Sequence, residues 1–117
     1  MRQILITTLV MLLTLNASSD DFSIKSPSGE IIISISINDN ISYSVKYKGN
    51  IVLNPSIIAM QVDNNTSWGL KSKISKKETG LKTETIAPVV PRKFEKIESS
   101  YNFLKLYFKG NYQLEFR

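Results

Sequence analysis

Phe22-Ser-Ile-Lys-Ser-Pro-Ser-Gly-Glu30 runs into Ile31-Ile-Ile-Ser-Ile-Ser-Ile37, then Ile41-Ser-Tyr-Ser-Val-Lys-Tyr47, then Lys48-Gly-Asn50 and Ile51-Val-Leu-Asn-Pro55. Period-2 alternation places Ile31, Ile33, Ile35 and Ile37 on one face of a strand, with Ile32, Ser34 and Ser36 on the other. Ile41, Tyr43, Val45 and Tyr47 alternate in the same way against Ser42, Ser44 and Lys46. Strands with one apolar face cover a core on that side and meet water on the other. The reversals between them carry their own chemistry. In Ser26-Pro27-Ser28-Gly29 proline presets φ and glycine accepts φ > 0, and Asn38-Asp39-Asn40 and Lys48-Gly49-Asn50 supply the next two turns. The stretch reads as a β-meander, with Tyr43 and Tyr47 expected in its core.

Further strands are expected at Ile51 to Leu53, Ile57 to Val62, Ser72 to Lys77, Leu81 to Ile86, Arg92 to Ser99, Phe103 to Lys109 and Tyr112 to Phe116. Turn signals at Asp63-Asn64-Asn65, Thr79-Gly80, Ser99-Ser100 and Gly110-Asn111 separate them. Ala87 to Pro91, with two prolines in five residues, reads as an irregular crossing. Many short strands with no helical period indicate an all-β antiparallel sandwich.

The order of these elements resembles the opening of the amino-terminal domain of glycoside hydrolase family 97, whose members include bacterial α-glucosidases and α-galactosidases. The similarity rests on the Ser-Pro-x-Gly turn, the Tyr43-Ser-Val-Lys-Tyr47 strand, the x-Gly-x turn and Val52-Leu-Asn-Pro-Ser56. It continues through Lys93-Phe-Glu-Lys-Ile97, Tyr101-Asn-Phe-Leu104 and Tyr112-Gln-Leu-Glu-Phe-Arg117, the last being similar to the start of a Leu-x-Phe-Arg-Ala-Tyr strand. Pro88-Val89 falls where the family carries a Trp-Lys-Pro-Val-Trp-like segment, but Ala87 and Val90 stand in place of the lysine and second aromatic. The resemblance implies a partial galactose-mutarotase-like super-sandwich, truncated at its carboxyl end. It also implies a following (β/α)₈ barrel as partner, which would hold the catalytic acids and any calcium. On this basis no cofactor belongs to this chain, and α-glucoside or α-galactoside sugars are the expected ligands of the complete enzyme.

The leader and the composition agree with an exported domain. Met1-Arg2-Gln3 is a short basic end, Ile4 to Leu15 an apolar run, and Ala17-Ser18-Ser19 a small-residue cleavage site. Residues 1–19 therefore read as a signal-peptide helix and residues 20–117 as one β-sandwich domain, periplasmic or secreted. The apolar run falls short of the roughly 20 residues of a membrane-spanning helix. No cysteine is present, so no disulfide framework supports the domain, which must rely on its core.

Net charge is +5, and the excess lies in the second half, from Lys71 to Arg117. There the lysines alternate with Ile74, Leu81, Ile97, Leu104 and Leu106 instead of clustering with exposed aromatics. That is a wet sheet face with edge protection, not a nucleic-acid site.

With neither histidine nor cysteine, Ser/His/Asp catalysis, thiol nucleophiles and the usual zinc sites are excluded. Carboxylates remain: Glu78, Glu84, Glu95, Glu98 and Glu115, each near lysine and read as surface acids. For stacking on a sugar face the chain offers Tyr43, Tyr47, Trp68, Phe94, Tyr101, Tyr107 and Tyr112. Trp68 stands out because it follows the polar Asn64-Asn-Thr-Ser67, where a large ring is either exposed or caps the sandwich edge. Trp68, Pro88 and Val89 are thus the candidate ligand or interface residues. A second interpretation also stands: a complete small secreted β-sandwich acting as an adhesion or protein-interaction module. The two differ at the carboxyl end, where a truncated sandwich exposes an unpaired edge at Leu114 to Arg117.

Overall fold

The computed structural model of the chain describes residues 19–90, 93 and 96–117. The expected signal-peptide helix lies outside them except for Ser19, as do Pro91, Arg92, Phe94 and Glu95. All regular structure among the described residues is strand: β1 (Asp20–Lys25), β2 (Ile31–Ile37), β3 (Ile41–Tyr47), β4 (Asn50–Ile58), β5 (Met60–Gln61), β6 (Ser67–Trp68), β7 (Ile74–Ile86), β8 (Ile97–Phe108) and β9 (Tyr112–Phe116). They form a four-stranded sheet β1-β2-β3-β4, a two-stranded hairpin β5-β6 and a three-stranded sheet β7-β8-β9, antiparallel throughout. No helix among the described residues is long and apolar enough to cross a membrane.

The meander forms as its turns dictate. Ser26 O accepts from Gly29 N at 2.8 Å, and Ser26 Oγ accepts from Ile31 N at 3.1 Å. Gly29 has φ +76°, the value that requires glycine there. At the β3–β4 turn Lys48 and Gly49 both have positive φ, 49° and 82°, the twist a tight hairpin needs. In this register Ile33 lies opposite Val45, Ile35 opposite Tyr43, and Ile37 opposite Ile41, so one face stays apolar across three strands.

That face meets the inner face of β7-β8-β9. The buried core is Ile35, Ile37, Ile41, Leu104, Leu106 and Phe108, rimmed by Phe22, Ile24, Ile33, Tyr43, Ile58, Ile74, Tyr112, Leu114 and Phe116. Each fully buried aliphatic side chain contributes about 1.5–3 kcal/mol of transfer free energy. The sandwich stands on these contacts, since the surface ion pairs Lys48–Glu30, Lys76–Glu78 and Lys82–Glu84 are largely exposed.

Four local expectations are corrected. Thr79-Gly80 is no turn: β7 runs straight through it, with Gly80 opposite Phe103. A Cβ on Gly80 would come within 2.9 Å of the Phe103 ring, so the glycine clears space for that ring instead of reversing the chain. Ser99-Ser100 is likewise inside β8, paired with Glu84 and Thr83, and Thr83 and Ser100 hydroxyls join at 3.0 Å. Ile51 to Leu53 and Ile57 to Val62 are not two strands. β4 passes unbroken through Pro55, which an edge strand tolerates because one row of its N–H groups needs no ladder partner. Tyr43 packs against the core, but Tyr47, at the strand end, is 43% exposed with the Lys48 ammonium over its ring. β1 is an addition to the strands read from periodicity: its charged residues hide the alternation of Phe22 and Ile24, which the core reveals.

Candidate functional site

The Asp63-Asn64-Asn65 turn is as expected and closes the short β5–β6 hairpin. Asp63 Oδ1 accepts from Asn65 N at 2.8 Å and from Thr66 N at 2.6 Å. The Asn65 amide first, then the Thr66 hydroxyl, which donates to Asp63 Oδ2 at 3.3 Å, and the Thr66 amide hold the Asp63 carboxyl below its ordinary range, because they favour the charged form. A folded value below the unfolded one means that the contribution is complete above the ordinary carboxylate range and is lost as pH falls through the folded value. The Asn65 and Thr66 amide resonances are therefore expected to titrate with a midpoint below the model-peptide value of about 3.9. A midpoint at or above it would reject this account of the turn.

The hairpin delivers Trp68 to one end of the sandwich. Its ring stacks on Tyr112 with centroids 5.8 Å apart and planes at 20°, and Tyr112 stacks on Phe108 at 4.9 Å and 12°. Tyr112 Oη is hydrogen-bonded to Ser72 Oγ at 2.5 Å, which anchors the middle ring. Behind Trp68 the chain passes closely over β4, and then Gly69 O accepts from Ile41 N at 3.2 Å and Asp39 O from Lys71 N at 2.8 Å. These bonds tie the hairpin to the β2–β3 turn. Between the hairpin and β9 lies a cavity of about 230 Å³, bounded by Ile41, Ile58, Met60, Trp68, Tyr112 and Leu114. Tyr112→Phe is expected to cost about 1 kcal/mol, the net worth of one hydrogen bond, while leaving the ring stack in place. An unchanged midpoint of urea unfolding would rule out that anchoring role.

Pro88 and Val89 belong to a different region. They follow β7, Pro88 partly buried and Val89 fully exposed, about 40 Å along the strand from Ile74. The three candidate residues therefore form no common site. Tyr112, Met60 and Leu114, which do surround Trp68, were not singled out together, because their meeting depends on the packing of one sheet on the other.

Among the described residues, Glu78, Glu84 and Glu115 each lie beside a lysine. Glu78 and Glu115 both lie opposite Lys105 in register, so they are roughly 10 Å apart across three strands. That is a backbone spacing, and the Lys105 ammonium lies 3.6 Å from the Glu115 carboxylate and also helps lower the Glu78 carboxyl. Glu78 is lowered chiefly by Lys76, and Glu84 by Lys82 and then the Tyr101 hydroxyl. A general acid needs a raised value, and these groups are shifted the other way. Among the described residues no group of three or more acidic side chains is arranged to hold a metal ion.

Comparison with known proteins places this architecture. The chain is 31% identical over 121 aligned positions to a retaining alpha-galactosidase of Bacteroides thetaiotaomicron, across all of this chain but 18% of that protein. Two solved structures of a glycoside hydrolase family 97 enzyme from Pseudoalteromonas sp. strain K8, one with panose and one with acarbose, superpose with a TM-score of 0.64 at 22% identity. They cover 74% of this chain and 13% of theirs, and at that identity they speak for the fold. The family described as Glycosyl-hydrolase 97 N-terminal matches residues 24–117, nearly the whole described sandwich, and the chain belongs to that family.

Proposed function

We propose that this sandwich is the non-catalytic amino-terminal domain of an exported family 97 glycosidase, supporting a (β/α)₈ barrel that acts on α-galactosides or α-glucosides. The observation that carries this reading is the family match from residue 24 to 117, combined with a span of under a fifth of the galactosidase relative. The site chemistry supports it, since Glu78 and Glu84, both held below the ordinary carboxylate range by their lysine partners, offer neither a nucleophile poised across a cleft nor a protonated acid. Calcium and the catalytic acids would then belong to the barrel. The domain's contribution to sugar recognition would come through the shape of the shared substrate pocket.

The test is direct. Purified chain is expected to release no nitrophenol from nitrophenyl α-galactoside or α-glucoside beyond a heat-treated control. Hydrolysis that survives repurification and is lost on Glu78→Gln or Glu84→Gln would overturn the non-catalytic reading.

A further inference from the structure

We infer that the outer face of the β7-β8-β9 sheet is a glycan-binding surface, on which the Phe103 ring, leaning across Gly80, takes the apolar face of a pyranose in a neutral α-linked sugar chain. Leu104, Leu106 and Phe108 point into the core, so Tyr101, Phe103, Lys105 and Tyr107 stand on the opposite side of β8, each about 7 Å from the next. Across from them on β7 are Lys82, Gly80, Glu78 and Lys76. One arrangement of side chains occurs twice in this row. Lys76 pairs with Glu78 at 2.5 Å, and the Tyr107 hydroxyl donates to Glu78 Oε2 at 3.2 Å. Lys82 pairs with Glu84 at 2.5 Å, and the Tyr101 hydroxyl donates to Glu84 Oε1 at 3.1 Å. The two lysine–glutamate–tyrosine sets are offset by six residues on β7, about 20 Å, and Phe103 lies between them.

Phe103 is the ring of this row that is left open. Lys76 lies over the Tyr107 ring at 5.4 Å and Arg117 over the Tyr101 ring at 5.5 Å, so those two rings already hold a cation. Among the described residues no cation or second ring covers Phe103, which is half-buried against the sheet. Any side chain at position 80 would push it away, since an added Cβ would lie 2.9 Å from the ring. Glycine weakens a strand interior, and its return here is a ring held down on the sheet between two hydrogen-bonded sets. The surrounding charges select the ligand. Lys76, Lys82, Lys105 and Arg117 stand against Glu78, Glu84 and Glu115, and each of these carboxylates is held by a lysine. A face so nearly balanced gives a polyanion little attraction. A small apolar ligand needs most of its surface buried, which a sheet face does not provide. A neutral sugar chain suits both features: the C–H groups of one pyranose face stack on the ring, and its hydroxyls exchange hydrogen bonds with the fixed carboxylate, ammonium and phenol groups beside it. That the sugars are α-linked rests on the proposed function; the platform does not.

The experiment runs the 117-residue chain, with its net charge of +5, toward the cathode through native gels cast with soluble starch, galactomannan, heparin or no polymer. Starch or galactomannan should retard the chain relative to the plain gel. Phe103→Leu keeps an apolar side chain over Gly80 but removes the ring, and should raise the apparent dissociation constant at least about tenfold with unchanged far-ultraviolet circular dichroism. Phe103→Tyr keeps the ring and should keep the binding. Absence of retardation by both neutral polysaccharides, or equal retardation of wild-type and folded Phe103→Leu chains, would overturn the inference. So would retardation by heparin alone that Phe103→Leu abolishes, which would make a polyanion the ligand. Failure of the non-catalytic reading would appear separately, as nitrophenyl glycoside hydrolysis that persists in Phe103→Leu.

Discussion

Replacing Gly69 by alanine is expected to destabilise the domain by about 3 kcal/mol or more, from two costs that act together. Gly69 has φ +94°, a conformation that a residue with a Cβ rarely adopts, and the added carbon would lie 2.4 Å from the Ile58 carbonyl oxygen and 3.0 Å from the Ala59 Cα. Both neighbours are backbone, so no side-chain rotation relieves the clash. Relief requires the hairpin to lift off β4, which would break the Ile41 N to Gly69 O bond and shift Trp68 from Tyr112. For a domain of this size the thermal midpoint should fall on the order of 10–20 °C. Gly49→Ala is the control: φ is +82° there too, but nothing lies within 4 Å of the added carbon, so only the backbone cost applies. Equal losses in the two variants would show that close packing of Gly69 on β4 does not operate.

Leu106→Ala should cost about 2–5 kcal/mol, because the side chain is fully buried and lies in the central strand of its sheet. It pairs with Lys77 on one side and Leu114 on the other and packs in the cluster with Ile35, Ile37 and Ile41. Neighbours on two sheets cannot collapse fully into the space it leaves, so a cavity cost adds to the lost transfer free energy. Leu81→Ala, on the same sheet but 65% exposed, should change stability by no more than about 0.5 kcal/mol. Urea unfolding of both variants provides the measurement. A small loss at Leu106 would mean that the sheet-on-sheet interface does not carry the fold.

The amino-acid sequence by itself determined the elements whose information is local. Alternating isoleucines from Ile31 to Ile37 specify which face of β2 is buried, because the side-chain period of a strand is two. Ser26 to Gly29, Lys48-Gly49 and Gly110-Asn111 specify reversals, because φ > 0 is inexpensive only at glycine and a few small polar residues. The absence of histidine and cysteine narrowed the chemistry in the same direct way. Local signals failed where the deciding partner was distant in sequence. Gly80 resembles a turn until the Phe103 ring is seen above it, and Pro55 resembles a strand end until β4 is seen to be an edge. Trp68 was legible as unusual, but its stack on Tyr112, anchored by Ser72, joins side chains that only the docking of two sheets brings together. The docking of a three-stranded sheet on a four-stranded one was decided by tertiary structure alone, because strand order and the pairing of opposite sheets arise from long-range packing and leave no periodic mark on the chain.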